Sequence, residues 1–336
     1  MSDLNINNIT DRTGDSGPVI AGISTVSSGQ FVVPVGPTEF RGGRGRGIFS
    51  NGRNNPVYYN RINLVEIATT GNAIDFGDTI AAVNGGSGNI SSSTRGLVYG
   101  GYQGSPGANV NYIEYITMSS QGGSTNFGDL PEASNSHGGV SDGTRGVIAG
   151  YYPSYSGLMD YVTIATTGDT SDFGELMKPT TCRGGINSPT RGVYAGVEDP
   201  STKFKRTEYI TIQTKGNSQE FGELTVARTG IGMCSSSTRG LVMAGLTPTI
   251  VNTIDYCTIA TLGNFTDFGD TVVARRSGSS SSNSIRGLYG GGTTPANLNM
   301  IDYVTIATTA DAKDFGDLTY SARGVNANSD SHGGLG

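Results

Sequence analysis

The sequence predicts an all-β fold built from six repeats, and three observations point to it. Gly, Ser and Thr dominate, with 53 glycines in 336 residues and only 15% charged residues, which is a turn-rich β composition. The 16 Tyr and 11 Phe can supply a core between sheets. A Phe-Gly pair and an Arg-Gly pair each recur six times with one period. Repeats of this length made of short strands are typical of β-propellers.

Two independent markers define the period. The Phe-Gly pairs lie 46 to 51 residues apart, at Phe76, Phe127, Phe173, Phe221, Phe268 and Phe315. An Arg-Gly pair precedes each of them, at Arg46, Arg95, Arg145, Arg191, Arg239 and Arg286. We therefore predict a six-bladed β-propeller, because each marker belongs to one structural unit.

The strands of one unit follow from local patterns. RGLVYGG at 95–101 combines β-formers with terminal glycines, and it predicts a strand entering a turn. YCTIAT at 256–261 predicts the next strand, and LGN at 262–264 predicts a tight turn into the Phe-Gly strand. The small, polar stretch at 227–238 has room for one more strand. Each unit is therefore expected to contain four strands.

The chain ends predict how the ring closes. Residues 321–330 align with 227–236, after which the chain stops without another full unit. We expect this C-terminal strand to complete the first blade, whose other strands begin near Arg46, in a velcro closure. The propeller is expected to span 38–336.

Residues 1–37 lie outside the repeat and are expected to form an extended N-terminal arm. Its two apolar runs are too short to hold a core alone, so they need something to pair with. The candidate anchor residues are Val19, Ile20, Ile23, Phe31, Val32 and Val33.

Composition argues against several partners and cofactors. The net charge of −6 disfavours nucleic acid, which attracts clustered Lys and Arg. The sequence has no apolar run of membrane-spanning length and no opening typical of a signal peptide. Three cysteines without CxxC spacing and two histidines give no zinc pattern, so we expect buried thiols and no cofactor.

Acidic residues also recur in register, at Glu114, Asp160, Glu208, Asp255 and Asp302. A glycosidase needs one pair of carboxylates, whereas recurrence favours an architectural role. We expect each acid to pair with the arginine of the Arg-Gly strand, for example Asp255 with Arg239, and so to fix the register.

Other chemical patterns are incomplete. Asp-Phe-Gly lacks the companion motifs of a kinase. Sialidases gather several arginines around one carboxylate and have Asp-boxes that end in Trp, but this chain contains no Trp. His137 and His332 both lie in Ser-His-Gly-Gly, a loop-like setting without a partnered nucleophile. Asn72, Asp75 and Asp78 could hold calcium, although Asp and Asn more often cap turns.

The blade pattern over residues 40–336 resembles a kelch-type repeat in which Phe replaces the customary Trp. TIATTG with DFGD, and ITDRTGDSGPVIAGI at 9–23, resemble repeat proteins of marine cyanophages and related viruses. This resemblance implies a non-enzymatic virion protein of the tail, fibre or particle surface. It would be made in the host cytoplasm, be present in multiple copies and bind other virion proteins through its arm.

A glycan-binding module that recognises host polysaccharide is the alternative, since loops differ between blades. An inserted aromatic cluster, Tyr151, Tyr152 and Tyr155, is the candidate surface contact, although packing would explain it equally well. An enzyme acting on polysaccharide is the least favoured function, because no unique catalytic pair stands out.

Overall fold

A computed structural model describes residues 45–85, 87–181 and 184–335. The chain divides between Arg41 and Gly42, and every described residue belongs to the second part. The predicted arm, with all six candidate anchor residues, lies outside the described residues, so its role stays a prediction.

The described residues form six four-stranded antiparallel sheets, here numbered one to six. In each sheet the strands are given from the inner to the outer edge. Sheet one contains Asn326–Ser329, Arg46–Ser50, Arg61–Glu66 and Ile74–Asp78. Sheet two contains Ser87–Ser91, Arg95–Tyr99, Tyr112–Thr117 and Thr125–Asp129. Sheet three contains Gly138–Ser141, Arg145–Ala149, Leu158–Thr163 and Ser171–Glu175.

The remaining three sheets repeat this order. Sheet four contains Gly184–Asn187, Arg191–Ala195, Arg206–Thr211 and Gln219–Glu223. Sheet five contains Gly232–Ser235, Arg239–Leu246, Ile250–Thr258 and Thr266–Asp270. Sheet six contains Ser279–Ser282, Arg286–Gly290, Met300–Thr305 and Lys313–Asp317. The expectation of an all-β fold with four strands per repeat is confirmed for these residues.

Short strands decorate the loops. A three-stranded sheet joins Val83–Asn84, Tyr102–Gln103 and Ala108–Asn109. Two hairpins pair Arg53–Asn54 with Val57–Tyr58 and Thr293–Thr294 with Ala296–Asn297. One turn of 3₁₀-helix, Gly333–Leu335, is the last described element. Within the described part of the chain, no helix is long and apolar enough to cross a membrane.

The inner strands lie side by side in a closed cycle. Each of them contacts the inner strand of the next sheet, and the inner strand of sheet six contacts that of sheet one. Asn326–Ser329 pairs with Arg46–Ser50 in antiparallel register, with Phe49 opposite Ala327. The two ends of the described chain therefore meet in sheet one, and this arrangement is compatible with a β-propeller.

The core lies between neighbouring sheets. All six Phe-Gly phenylalanines are buried, and each is the residue left unpaired at a register shift between the third and outer strands. In sheet five, for example, Ile254 lies opposite Gly269 while Asp255 lies opposite Asp267, so Phe268 is the extra residue of a β-bulge. The bulge explains why an aromatic residue and a glycine recur together.

Candidate functional site

The recurring arginines connect each sheet to the next. Their guanidinium groups donate to backbone carbonyls just after the third strand of the following sheet: Arg46 to Met118, Arg95 to Ile164, Arg145 to Ile212, Arg191 to Ile259, Arg239 to Ile306 and Arg286 to Ile67. The last bond returns to sheet one, so these interactions form a closed cycle around the inner strands.

Five of these arginines also stack on a tyrosine of their own sheet. The distance from the guanidinium carbon to the ring centroid is 4.5 Å for Arg95 over Tyr115 and 4.8 Å for Arg286 over Tyr303. The same tyrosines meet the Phe-Gly phenylalanines edge to face, as in Tyr256 and Phe268 at 6.0 Å between ring centroids. In sheet one Leu64 replaces the tyrosine, and Arg46 lies 3.8 Å from Glu66.

The expected pairing of Asp255 with Arg239 is wrong. Arg239 lies opposite Thr258 in the strand register, whereas Asp255 lies opposite Val242. Asp255 is three residues from Thr258, and an odd separation places two side chains on opposite faces of a strand. Arg239 therefore faces Tyr256 at 4.6 Å, and Asp255 pairs with Arg228, whose Nη1 lies 3.0 Å from Oδ2.

The recurring acids are buried, and most accept backbone N–H groups from the loop after the preceding sheet. Ile80 donates to Glu114, Met177 to Glu208, Thr225 to Asp255 and Val272 to Asp302, at 2.9 to 3.1 Å. In sheet one Asn63 takes this position and accepts from Thr319 at 2.8 Å. These carboxylates hold neighbouring sheets together, as recurrence suggested, although through partners that differ from those expected.

Sheet three departs from this pattern because Pro131 occupies the position of the donor and has no N–H. The Tyr151 hydroxyl takes over and donates to Asp160 at 2.7 Å. Burial, followed by the charge of Asp160, raises the pKa of Tyr151 well above its ordinary value. Tyr151 is fully buried, so its place among the candidate surface contacts is corrected: it is a core residue.

In sheets five and six, the recurring acid also forms a buried ion pair with an arginine. Arg228 with Asp255 and Arg275 with Asp302 are all fully buried. The arginines also donate to the carbonyls of Val242 and Tyr289. Burial lowers the pKa of Arg228, while Asp255 opposes that shift.

The inner strands end in a hydrogen-bonded ring of small polar side chains. Each side chain bonds the backbone of the corresponding residue in the preceding sheet, as when Ser141 Oγ accepts from Ser91 N at 3.1 Å and Ser282 Oγ donates to Ser235 O at 2.9 Å. Ser329 Oγ donates to Ser282 O, and Ser91 Oγ to Ser329 O, which closes the cycle. The ring consists of Ser91, Ser141, Asn187, Ser235, Ser282 and Ser329. We call it the polar ring.

The C-terminal residues cover this end of the inner strands. His332 Nε2 lies 2.9 Å from Ser91 O, and His332 Nδ1 accepts the Gly334 N–H at 3.0 Å. A Cβ at Gly334 would lie 1.9 Å from Ser141 O, so the Gly-Gly pair permits the close approach. Both histidines are buried rather than in surface turns, since His137 also lies in the core against Tyr99 and Tyr151.

At the opposite end, where the inner strands begin, the structure holds a pocket of about 320 Å³. We call it the axial pocket. Its lining includes residues of five of the inner strands and the loop residues Arg53, Asn84, Asn135, His137, Tyr152 and Arg323. Pockets for small ligands typically span about 300–1,000 Å³ and combine a few polar groups with apolar walls.

A repeated turn builds the mouth of the axial pocket. Gly85, Ser136, Gly230, Ser277 and Gly324 hold corresponding positions and all have φ between 59° and 66°. Their backbones are linked by hydrogen bonds from Ser136 to Gly85, Gly85 to Gly324, Gly324 to Ser277 and Ser277 to Gly230, at 2.7 to 3.1 Å. Main-chain hydrogen bonds therefore fix the position of the mouth, while the side chains around it differ from one repeat to the next.

Three arginines lie together at this mouth. Arg53 and Arg323 exchange two backbone hydrogen bonds, at 2.9 and 3.1 Å, and both line the axial pocket. Arg276 immediately precedes the lining residue Ser277. Burial, followed by the positive charges of Arg53 and Arg276, lowers the pKa of Arg323. Among the described residues that line the axial pocket, none is acidic.

The other candidate residues are placed as follows. Tyr152 is 37% exposed, lines the axial pocket and meets Tyr155 edge to face at 5.4 Å, so both remain candidate contacts. Asn72 Oδ1 accepts the Asp317 N–H across two sheets, which is the capping use expected of Asn. Cys234 and Cys257 are buried free thiols, as expected, and burial raises the pKa of each to about 12. Cys182 lies outside the described residues.

Sequence reasoning did not single out Arg53, Arg276 or Arg323. The signal lay in comparing repeats at one position, eight residues after each Phe-Gly phenylalanine. That position carries Asn84, Asn135, Thr181, Thr229, Arg276 and Arg323 in turn. This residue forms an isolated strand bridge in five repeats, and Asn84 lines the axial pocket in the remaining one, so the position varies where the markers do not.

No protein-family model matches the chain, and a comparison with curated proteins finds no match.

Proposed function

We propose that the six sheets are the blades of a six-bladed, kelch-like β-propeller closed by the C-terminal strand. The closed cycle of arginine bonds carries this proposal, because the arginine of sheet six donates to Ile67 of sheet one as the other five donate to their neighbours. The pairing of Asn326–Ser329 with Arg46–Ser50 supports it in the backbone.

We further propose that this propeller is a non-enzymatic structural component of a virion, in the tail, fibre or particle surface. Residues 1–37 would anchor it to other virion proteins, with the ring presented for contact with proteins or the host surface. The recurring arginines and acids bond the sheets to one another, which supports an architectural use of these residues. The likeness of the repeat strings to cyanophage proteins supports the viral setting.

Purified virus particles from the source test the virion proposal. Mass spectrometry of gradient-purified particles is expected to find the chain in multiple copies per particle, and electron cryo-microscopy to show six-bladed density with residues 1–37 joined to a neighbouring protein. Absence of the chain from particles, while the host lysate contains it, would overturn the proposal.

Glycan recognition is a second candidate, favoured by one observation. The axial pocket combines arginines, side-chain amides and the exposed ring of Tyr152 in one concavity. Polar donors with an aromatic face suit a sugar, whose hydroxyls and C–H faces need both. A polysaccharide-acting enzyme remains the least supported function.

A further inference from the structure

We propose that the axial pocket binds an acidic saccharide, a sugar carrying a carboxylate or sulfate group, with Arg53 and Arg323 on the anionic group. This inference rests on the second proposed function, glycan recognition, and names its ligand class. It does not depend on the virion role.

The charge around the axial pocket favours an anion. The chain carries a net charge of −6, yet Arg53, Arg276 and Arg323 lie together at this mouth. Among the described residues, no carboxylate forms an ion pair with any of the three. Like charges held together without a counter-ion repel each other, so a bound anion would relieve that repulsion.

The donor geometry favours a planar or tetrahedral oxyanion over a single atom. An arginine presents a fixed fork of N–H donors that matches carboxylate and sulfate groups. Arg53 Nη1 donates to the Tyr58 hydroxyl at 3.1 Å. Arg53 Nε is buried and has no partner among the described residues. The Nε of Arg276 is likewise buried without a partner among them. Both Nε atoms are closed off from solvent, so the donors open to a ligand are Arg53 Nη2 and the Arg323 guanidinium, which have no hydrogen-bond partner among the described residues.

The rest of the lining favours a saccharide as the carrier of the anion. Asn84 and Asn135 add amide donors and acceptors, and Tyr152 offers an aromatic face at the rim. A volume of about 320 Å³ suits one small ring rather than an extended polymer backbone. Nucleic acid would instead need a basic stripe along the surface, which an acidic chain does not favour.

The floor of the axial pocket is fixed by Asn89. Its side-chain amide reaches carbonyl oxygens of other inner strands, Met233 O at 3.3 Å in one amide orientation and Ser280 O at 3.0 Å in the other. Asn89 lines both the axial pocket and the small cavity beside the polar ring, so it lies between these two spaces.

Calorimetric titration of the full chain tests this inference. Galacturonate and galactose 6-sulfate are the acidic probes, neutral galactose is the control, and sodium sulfate separates the anion from the sugar. We expect at least one acidic saccharide to bind, more tightly than sulfate and more weakly as salt is raised, and the neutral sugar not to bind at the same concentrations.

Variants assign the binding to the axial pocket. Arg323→Gln and Arg53→Gln are each expected to weaken acidic-saccharide binding by about ten-fold or more. Lys313→Gln, on the exposed outer strand of sheet six, removes one charge elsewhere and is expected to change affinity less than about two-fold. Melting temperatures of all three variants report whether each is folded, and Arg276→Gln is the replacement if either pocket variant is not.

The outcomes that contradict the acidic-saccharide inference differ from those that contradict glycan recognition, the proposed function on which the inference rests. Binding of the neutral sugar, unaffected by Arg323→Gln, would overturn the acidic-saccharide inference while leaving glycan recognition standing. Binding of sulfate as tight as that of the saccharides would overturn the saccharide assignment. Failure of every saccharide to bind would overturn both the inference and the glycan function.

Discussion

The glycine of each Phe-Gly pair lies against the turn of the next sheet. A Cβ at Gly222 would lie 2.1 Å from Gly263 O, and one at Gly128 would lie 2.2 Å from Gly168 O. Backbone atoms cannot move aside without shifting the sheet. The recurrence of glycine at these positions therefore follows from close approach of two sheets.

Gly222→Ala is expected to lower the free energy of unfolding by about 2–3 kcal/mol, because the new methyl group overlaps a carbonyl. Chemical denaturation monitored by circular dichroism measures it. Gly263→Ala is the matched control: nothing lies within 4 Å of its Cβ, so its cost is limited to the backbone φ of 155°, and the sixth repeat carries Ala310 at that position. The control should cost about 1 kcal/mol. Equal losses would contradict the close-approach explanation.

A buried carboxylate is destabilising unless its charged or hydrogen-bonding partners remain in place. Arg228→Met removes the guanidinium from Asp255 and leaves a buried carboxylate with only the Thr225 donors. We expect a loss of about 3 kcal/mol in unfolding free energy, measured by urea denaturation.

The double variant Arg228→Met with Asp255→Asn is the control, because it removes the unpaired charge while keeping side-chain size. It should recover part of the loss. A double variant no more stable than Arg228→Met would show that the guanidinium acts through packing rather than charge.

At the scale of elements, pH acts on the C-terminal turn through His332. His332 is buried, and burial lowers its pKa from 6.5 to about 4. Its Nδ1 already accepts the Gly334 N–H, so a proton added there would face a donor. The folded C-terminal turn therefore requires the neutral form of the His332 imidazole.

Stability should fall as pH falls from about 6.5 to about 4. The unfolded chain binds a proton on His332 near its ordinary pKa, while the folded chain does so only near pH 4, so protonation favours unfolding across that window. The contribution is about 3 kcal/mol, fully present above pH 6.5.

The measurement is the difference in unfolding free energy between the native chain and His332→Gln at several pH values. Burial raises the pKa of Glu114 and Asp302, an opposite effect of pH that is common to both chains and cancels in the difference. A difference that does not change between pH 7 and pH 4 would contradict the role given to His332.

Elements were more predictable than the contacts between them. The Phe-Gly and Arg-Gly markers predicted four strands per repeat because strand and turn preferences are local. The partner of Asp255 was not predictable, since it depends on which face of the strand each residue occupies and on Arg228 in another loop. The sequence leaves Tyr151 open between a surface contact and packing, because nothing local shows that Pro131 removes a donor and that the Tyr151 hydroxyl replaces it.

The axial pocket was also beyond local reasoning. Its arginines come from two distant parts of the chain, near Arg53 and near Arg323, and they meet only because the C-terminal strand joins sheet one. The resemblance to viral repeat proteins gave no guide to these residues, because they lie where the repeats differ from one another.

For the whole molecule, closure by the C-terminal strand should decide whether the ring is stable. Deleting residues 326–336 exposes the edge of Arg46–Ser50 and opens the polar ring between Ser91 and Ser282. We expect loss of cooperative thermal unfolding and aggregation through the free edge, measured by calorimetry and light scattering.

Deleting only residues 333–336 is the control, because it keeps the closing strand and removes the last turn. That variant should remain folded, with a lower melting temperature. Cooperative unfolding of the longer deletion at the native temperature would mean that the strand is not needed for closure.

A crystal structure of the full chain tests the central claim, a closed ring of six blades, most directly. The account predicts six four-stranded sheets, with Phe49 opposite Ala327 and the Arg286 guanidinium bonded to the Ile67 carbonyl. Five or seven sheets, or a C-terminal strand paired with another copy of the chain, would contradict it.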